Sequence, residues 1–123
     1  MKDYKYKIKR LIRITIKNSL WVWMLAIFVQ SSFPAITGGP PSFPHFDKVM
    51  HFLIYAILGG LTVLRFSGFY FPFILGSAFG LSDEIHQLFV PSRSFDLLDL
   101  AADIVGVIAG ILVTRFIIRK INK

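Results

Sequence analysis

The chain has 123 residues, room for one domain, and 54% of them are hydrophobic, including 13 Phe. A water-soluble fold of this size cannot hide so much apolar surface, so an integral membrane protein is expected instead. The net charge of +7 sits mainly at the two ends, which fits anionic lipid headgroups rather than nucleic acid, and the absence of Cys removes disulfides and thiolate metal sites.

Residues 1–17 form a basic N-terminal segment with Lys2, Lys5, Lys7, Lys9, Arg10, Arg13 and Lys17. Lys5, Lys9, Arg13 and Lys17 fall four apart, so a helix would line them along one side. Ile8, Leu11, Ile12 and Ile16 would line another. This pattern predicts an amphipathic helix on an anionic membrane face.

From Asn18 to His45 there is no Asp, Glu, Lys or Arg. A first span is expected at about 18–36, completed by Asn18, Ser19 and the Gln30–Ser32 end. A basic head before an apolar run also resembles a signal peptide. No small-x-small cleavage pattern follows the apolar core, so a retained helix is expected.

Prolines and glycines make residues 34–46 a loop. Asp47 is placed to cap a second span at about 48–65, and Arg65–Gly68 reads as a tight turn. A third span follows at about 69–90, polar in its last third. Pro91–Ser94 breaks it, and a fourth span runs from about 97 to 118 before the basic tail 119–123. The expected architecture is therefore all-α, an integral membrane bundle of four transmembrane helices.

With four spans both termini share a side. That side collects twelve of the 14 Lys and Arg residues, leaving only Lys48 and Arg93 opposite. The positive-inside rule then places both termini in the cytoplasm of a bacterial cell membrane. The polar residues of the second, third and fourth helices face the outer leaflet.

Five of the seven acids fall between Ser82 and Asp103. Ionisable groups near hydrocarbon are costly and usually face a bundle interior or a wet cavity. Asp47, His51 and Tyr55 share one helical face, as do Asp96, Asp99 and Asp103. The small-residue rows Gly76/Gly80 and Ala102/Gly106/Gly110 predict close packing of the third helix on the fourth.

Several chemistries fit this cluster. Glu84 or Asp99 is the candidate acid–base group, with His51 or His86 as its partner. Lys48 and Arg93 at the rim suit a phosphate or carboxylate headgroup, with Asp47, Tyr55, Asp83, Gln87 and Asp103 lining the same place. None of the spacings is a metal signature, so no metal ligand is assigned and no cofactor is named. Ser82, Ser92 and Ser94 lack the Gly-x-Ser-x-Gly context of a nucleophile. The structural alternative pairs Lys48 and Arg93 with Asp96, Asp99 or Glu84 as a lock between helix ends. Asp47 and Asp96 would then be caps, and His45 a solvated loop residue.

At these residues the chain resembles the VanZ-like family of small bacterial membrane proteins. The resemblance lies in Phe28-x-x-Ser31-Ser32 and in Asp47-Lys48-x-x-His51-Phe52-x-x-Tyr55-x-x-Leu58-Gly59. It continues in Ser82-Asp83-Glu84-x-x-Gln87-x-Phe89-x-Pro91-x-Arg93 and in Asp99-x-x-x-Asp103-x-x-Gly106-x-x-x-Gly110. One departure occurs: Ser92 stands where the family pattern often has Gly; at Asp103 the pattern has Asn or Asp, and the Asp here adds charge to the cluster. The resemblance implies a cell-envelope role and, from the member that names the family, lowered susceptibility to the glycopeptide antibiotic teicoplanin.

Two functions follow. One is an envelope-modifying or binding protein that lowers glycopeptide susceptibility. The other is a membrane-embedded acid–base or metal-assisted enzyme acting on a lipid-linked phosphate or glycan. Expected partners are membrane lipids and a lipid-linked envelope precursor or lipoglycopeptide, with no nucleic acid. A bundle of four short spans is also compatible with a homodimer.

Overall fold

The computed structural model describes residues 2–34 and 45–123. These form four α-helices: α1 (Lys2–Ser31), α2 (Phe46–Phe66), α3 (Tyr70–Gln87) and α4 (Leu97–Ile121). No strand occurs among the described residues. The end of the expected first span, residues 35–36, and most of the loop at 34–46 lie outside the described residues.

The basic segment and the first apolar run share one unbroken helix, because neither Gly nor Pro interrupts Lys2–Ser31. No break marks the boundary expected at residue 17. At 1.5 Å per residue, α1 is about 45 Å long, more than the hydrocarbon core requires.

Three of the four helices are long and apolar enough to cross a membrane: Asp3–Ser31 within α1, Phe46–Phe66 and Leu97–Ile121. The third span expected coincides with α3, which is not among these three. α3 has 18 residues, and its last turns carry Asp83, Glu84, His86 and Gln87. Those side chains lower its apolarity below that of its neighbours.

α2 and α4 form the most extensive helix pair, and the reason is close backbone approach. A methyl group at Gly106 would meet the Phe52 carbonyl, and one at Gly110 the Ala56 carbonyl. One at Gly59 would meet the Val107 carbonyl in turn. Small residues on both helices thus let main chain touch main chain. This corrects the packing expected from the small-residue rows: Gly106 and Gly110 admit α2, not α3. Gly76 and Gly80 do face α4, against the Val107 and Asp103 side chains.

α1 leans on α2, where the Trp23 indole donates to the Ile54 carbonyl at 3.1 Å. The buried apolar core comprises Leu20, Ile27, Tyr55, Leu58, Val63, Val107 and Ile111. Around it the exterior is apolar too, with Leu25, Leu53, Ile57, Ile74, Val105 and Val113 all exposed. An apolar exterior of this extent suits hydrocarbon rather than water.

The connections carry local constraints. α2 stops at a turn where Ser67 and Gly68 both adopt positive φ. Asp96 caps α4, accepting from the Leu98 amide at 2.8 Å. Asp47 does not cap α2: His45 holds the N-cap position, and Asp47 lies in the first turn. Ser92 has φ 59°, a left-handed region that favours Gly.

Candidate functional site

The polar residues converge where the start of α2, the end of α3 and the start of α4 meet. The inward face of each helix supplies them at helical spacing: Lys48, His51 and Tyr55 on α2, Asp83, Glu84 and Gln87 on α3, Asp99 and Asp103 on α4. Glu84 and Asp103 are 0% exposed, Gln87 4% and Asp83 5%. In a molecule with an apolar exterior, its most buried acids therefore lie inside.

Lys48 organises the rim. Its Nζ lies 2.7 Å from carboxylate oxygens of Asp47, Asp96 and Asp99. Its contacts to Asp47 and Asp96 are hydrogen bonds, and Asp99 is held as an ion pair. Lys48 thus ties the start of α2 to the start of α4. The Asp96 carboxyl is held below the usual carboxylate range, chiefly by its hydrogen bond with Lys48.

His51 occupies the centre. Its Nδ1 is 2.8 Å from Asp103 Oδ1, and its Nε2 is 3.7 Å from Asp99 Oδ2. One carboxylate fixes the ring and a second lies within ion-pair reach, an arrangement that suits a proton-transfer imidazole. Glu84 Oε2 accepts from the Asp96 amide at 3.2 Å, and Tyr55 donates its hydroxyl to Asp83 Oδ2 at 3.2 Å. The second oxygens of Asp83, Glu84 and Asp103 are buried without a hydrogen-bond partner among the described residues.

A cavity of about 220 Å³ opens beside this cluster. Its polar lining comes from Asp47, His51, Tyr55, Asp83, Gln87 and Arg93, and its apolar wall includes Ile27, Met50 and Ile54. Arg93 does not pair with Asp96, Asp99 or Glu84; its Nε donates to the Phe33 carbonyl at 3.2 Å. That bond ties the loop before α4 to the end of α1.

The two histidines separate. His51 sits in the cluster, whereas His86 turns toward α1, stacked on Phe28 with ring centroids 4.7 Å apart. Its Nε2 is 3.0 Å from Ser32 Oγ. His86 therefore stands apart from Glu84 and Asp99, although it is two residues from Glu84 in sequence. Asp96 joins the site as a Lys48 partner, the pairing that the lock reading names, besides capping α4. Its position three before Asp99 was the available signal.

No metal ligand was assigned from spacing, yet ligand atoms of His51, Glu84 and Asp103 all lie within 4.8 Å of one another. One comes from each of α2, α3 and α4, so no sequence interval could have marked them.

No curated protein and no solved structure matches the chain. A family model described as VanZ/LLP1 matches residues 3–119, which takes in α2 and α3, nearly all of α1 and α4, and every residue of the site. This is a helical membrane protein, and it belongs to the VanZ/LLP1 family.

Proposed function

We propose that this protein acts in the bacterial cell envelope by binding the polar head of a lipid-linked component, and that it thereby lowers susceptibility to lipid-anchoring glycopeptides such as teicoplanin. The observation that carries this reading is the two-sided cavity. Arg93, Gln87 and Asp47 offer it polar contacts, while Ile27, Met50 and Ile54 offer an apolar wall. An amphiphile with a charged head suits both surfaces.

In this reading both termini are cytoplasmic and the cavity opens to the outer leaflet. The excess of Lys and Arg away from the cavity supports that orientation. The partners are membrane lipids and an envelope precursor or a lipoglycopeptide; the apolar exterior also leaves room for a homodimer.

The test compares teicoplanin inhibitory concentrations in a susceptible host with and without expression, and with Arg93→Ala at equal membrane accumulation. Tolerance should rise with the wild type and fall back with the variant. An unchanged inhibitory concentration on wild-type expression sinks the reading.

A second reading is favoured by the His51–Asp103 contact of 2.8 Å. It is a membrane-embedded enzyme on a lipid-linked phosphate or glycan, with His51 and Glu84 moving the proton. Purified protein should then turn over an undecaprenyl-type or phospholipid substrate, and Glu84→Gln should not.

A further inference from the structure

Charge at the centre of the bundle does not balance. Lys48 is already shared by Asp47, Asp96 and Asp99. Arg93 donates to the Phe33 carbonyl and, among the described residues, forms no ion pair with an acid. The buried Glu84 and Asp103 have His51 as the base grouped with them, so even a protonated imidazole would leave one carboxylate uncompensated.

An uncompensated buried carboxylate is among the costliest groups a protein can hold, so it either stays protonated or takes a cation. Two observations favour the cation. Glu84 Oε1 and Asp103 Oδ2 belong to side chains that are 0% exposed, and neither oxygen has a hydrogen-bond partner among the described residues. These two side chains also form a compact three-ligand set with His51, all within 4.8 Å.

We infer that His51, Glu84 and Asp103 form a binding site for one divalent transition ion, of the Mn²⁺ or Zn²⁺ kind, between α2, α3 and α4.

The donor set selects the ion class. Two carboxylates alone would suit Mg²⁺ or Ca²⁺, but an imidazole nitrogen shifts preference toward Mn²⁺, Fe²⁺ or Zn²⁺. Ligands at roughly 2.0–2.2 Å from one ion lie about 3–4 Å from each other. His51 and Asp103 approach to 2.8 Å across a hydrogen bond whose proton an ion would displace, and Glu84 has a ligand atom within 4.8 Å of both. Three rigid helices supply the ligands, a more precise support than a loop. His51 also lines the cavity, so the ion site and the cavity share a wall.

The inference needs neither functional reading above, and its test uses no antibiotic and no lipid substrate. The full chain is purified in detergent, stripped with a chelator and equilibrated with Mn²⁺ or Zn²⁺. Bound metal is then measured with the melting temperature. Wild type should hold about one ion per chain and melt higher with metal than without. Affinity should fall at least about tenfold in Glu84→Gln and in Asp103→Asn, while Asp3→Asn, on the exposed start of α1, should keep the ion.

If both site variants fail to accumulate, the wild-type titration decides alone. Absence of stoichiometric Mn²⁺ or Zn²⁺ means that the carboxyls are protonated and overturns the inference. Equal uptake of Ca²⁺, or full occupancy in Glu84→Gln and Asp103→Asn, overturns it too. Stoichiometric metal beside an unchanged teicoplanin inhibitory concentration on wild-type expression would support the ion site and count against the envelope reading alone.

Discussion

His51 on α2 and Asp103 on α4 meet at 2.8 Å, one helical turn from the point where Gly106 sits against the Phe52 carbonyl. The contact between polar side chains and the contact between backbones belong to one seam. Close approach of the helices brings the imidazole and the carboxylate into reach, and their hydrogen bond in turn fixes helix register. A histidine held this way has a defined ring orientation, which both proton transfer and metal ligation require.

The seam is open to test at Gly106. Gly106→Ala adds a methyl group where backbone leaves no room. The variant should lose about 1–3 kcal/mol of stability, the usual cost of overpacking. Melting in detergent reads this directly; a wild-type melting temperature would show that α2 and α4 are less tightly apposed than described.

Lys48 should behave as a structural cation. Lys48→Met leaves Asp99, only 13% exposed in its side chain, without its ammonium partner. A loss of roughly 3 kcal/mol and poor membrane accumulation are expected. Lys48→Met combined with Asp99→Asn should recover part of that loss, since the two residues are coupled. Strict additivity of the two changes would argue against a direct pair.

The two histidines should part company. His86→Phe keeps an aromatic ring against Phe28 and gives up one exposed contact to Ser32. Its cost should be about 1 kcal/mol or less, with teicoplanin tolerance retained. His51→Phe should accumulate less or lose the phenotype outright. If His86→Phe abolishes tolerance at normal abundance, the functional histidine has been misassigned.

The natural absence of Cys makes orientation accessible to labelling. Phe89 is 82% exposed between α3 and α4, and Ile121 is 77% exposed at the end of α4. With the cavity facing outward, Phe89→Cys should react with an impermeant maleimide on intact cells and Ile121→Cys only after lysis. The reverse pattern would place the site on the cytoplasmic side and remove the outer-leaflet reading.

Hydropathy and spacing by themselves determined an all-helical membrane protein, because apolar runs bounded by Pro, Gly and charge leave few other solutions. They also determined which residues could face inward on each helix, since i, i+3 and i+4 neighbours share a face. Asp96 as a cap was legible for the same local reason. Only the tertiary structure decided the pairings between helices. Gly106 and Gly110 could have served either neighbour; backbone approach assigns them to α2. Lys48 is a rim cation in sequence alone, and the structure sets carboxylates of α2, α4 and the loop before α4 around it. His86 shared a sequence neighbourhood with Glu84, yet helix rotation turns it toward Phe28 on α1. His51, Glu84 and Asp103 are dispersed along the chain, and long-range packing alone brings their ligand atoms within 4.8 Å. Sequence periodicity fixes direction around one helix axis, whereas the partner across an interface depends on how three axes pack together.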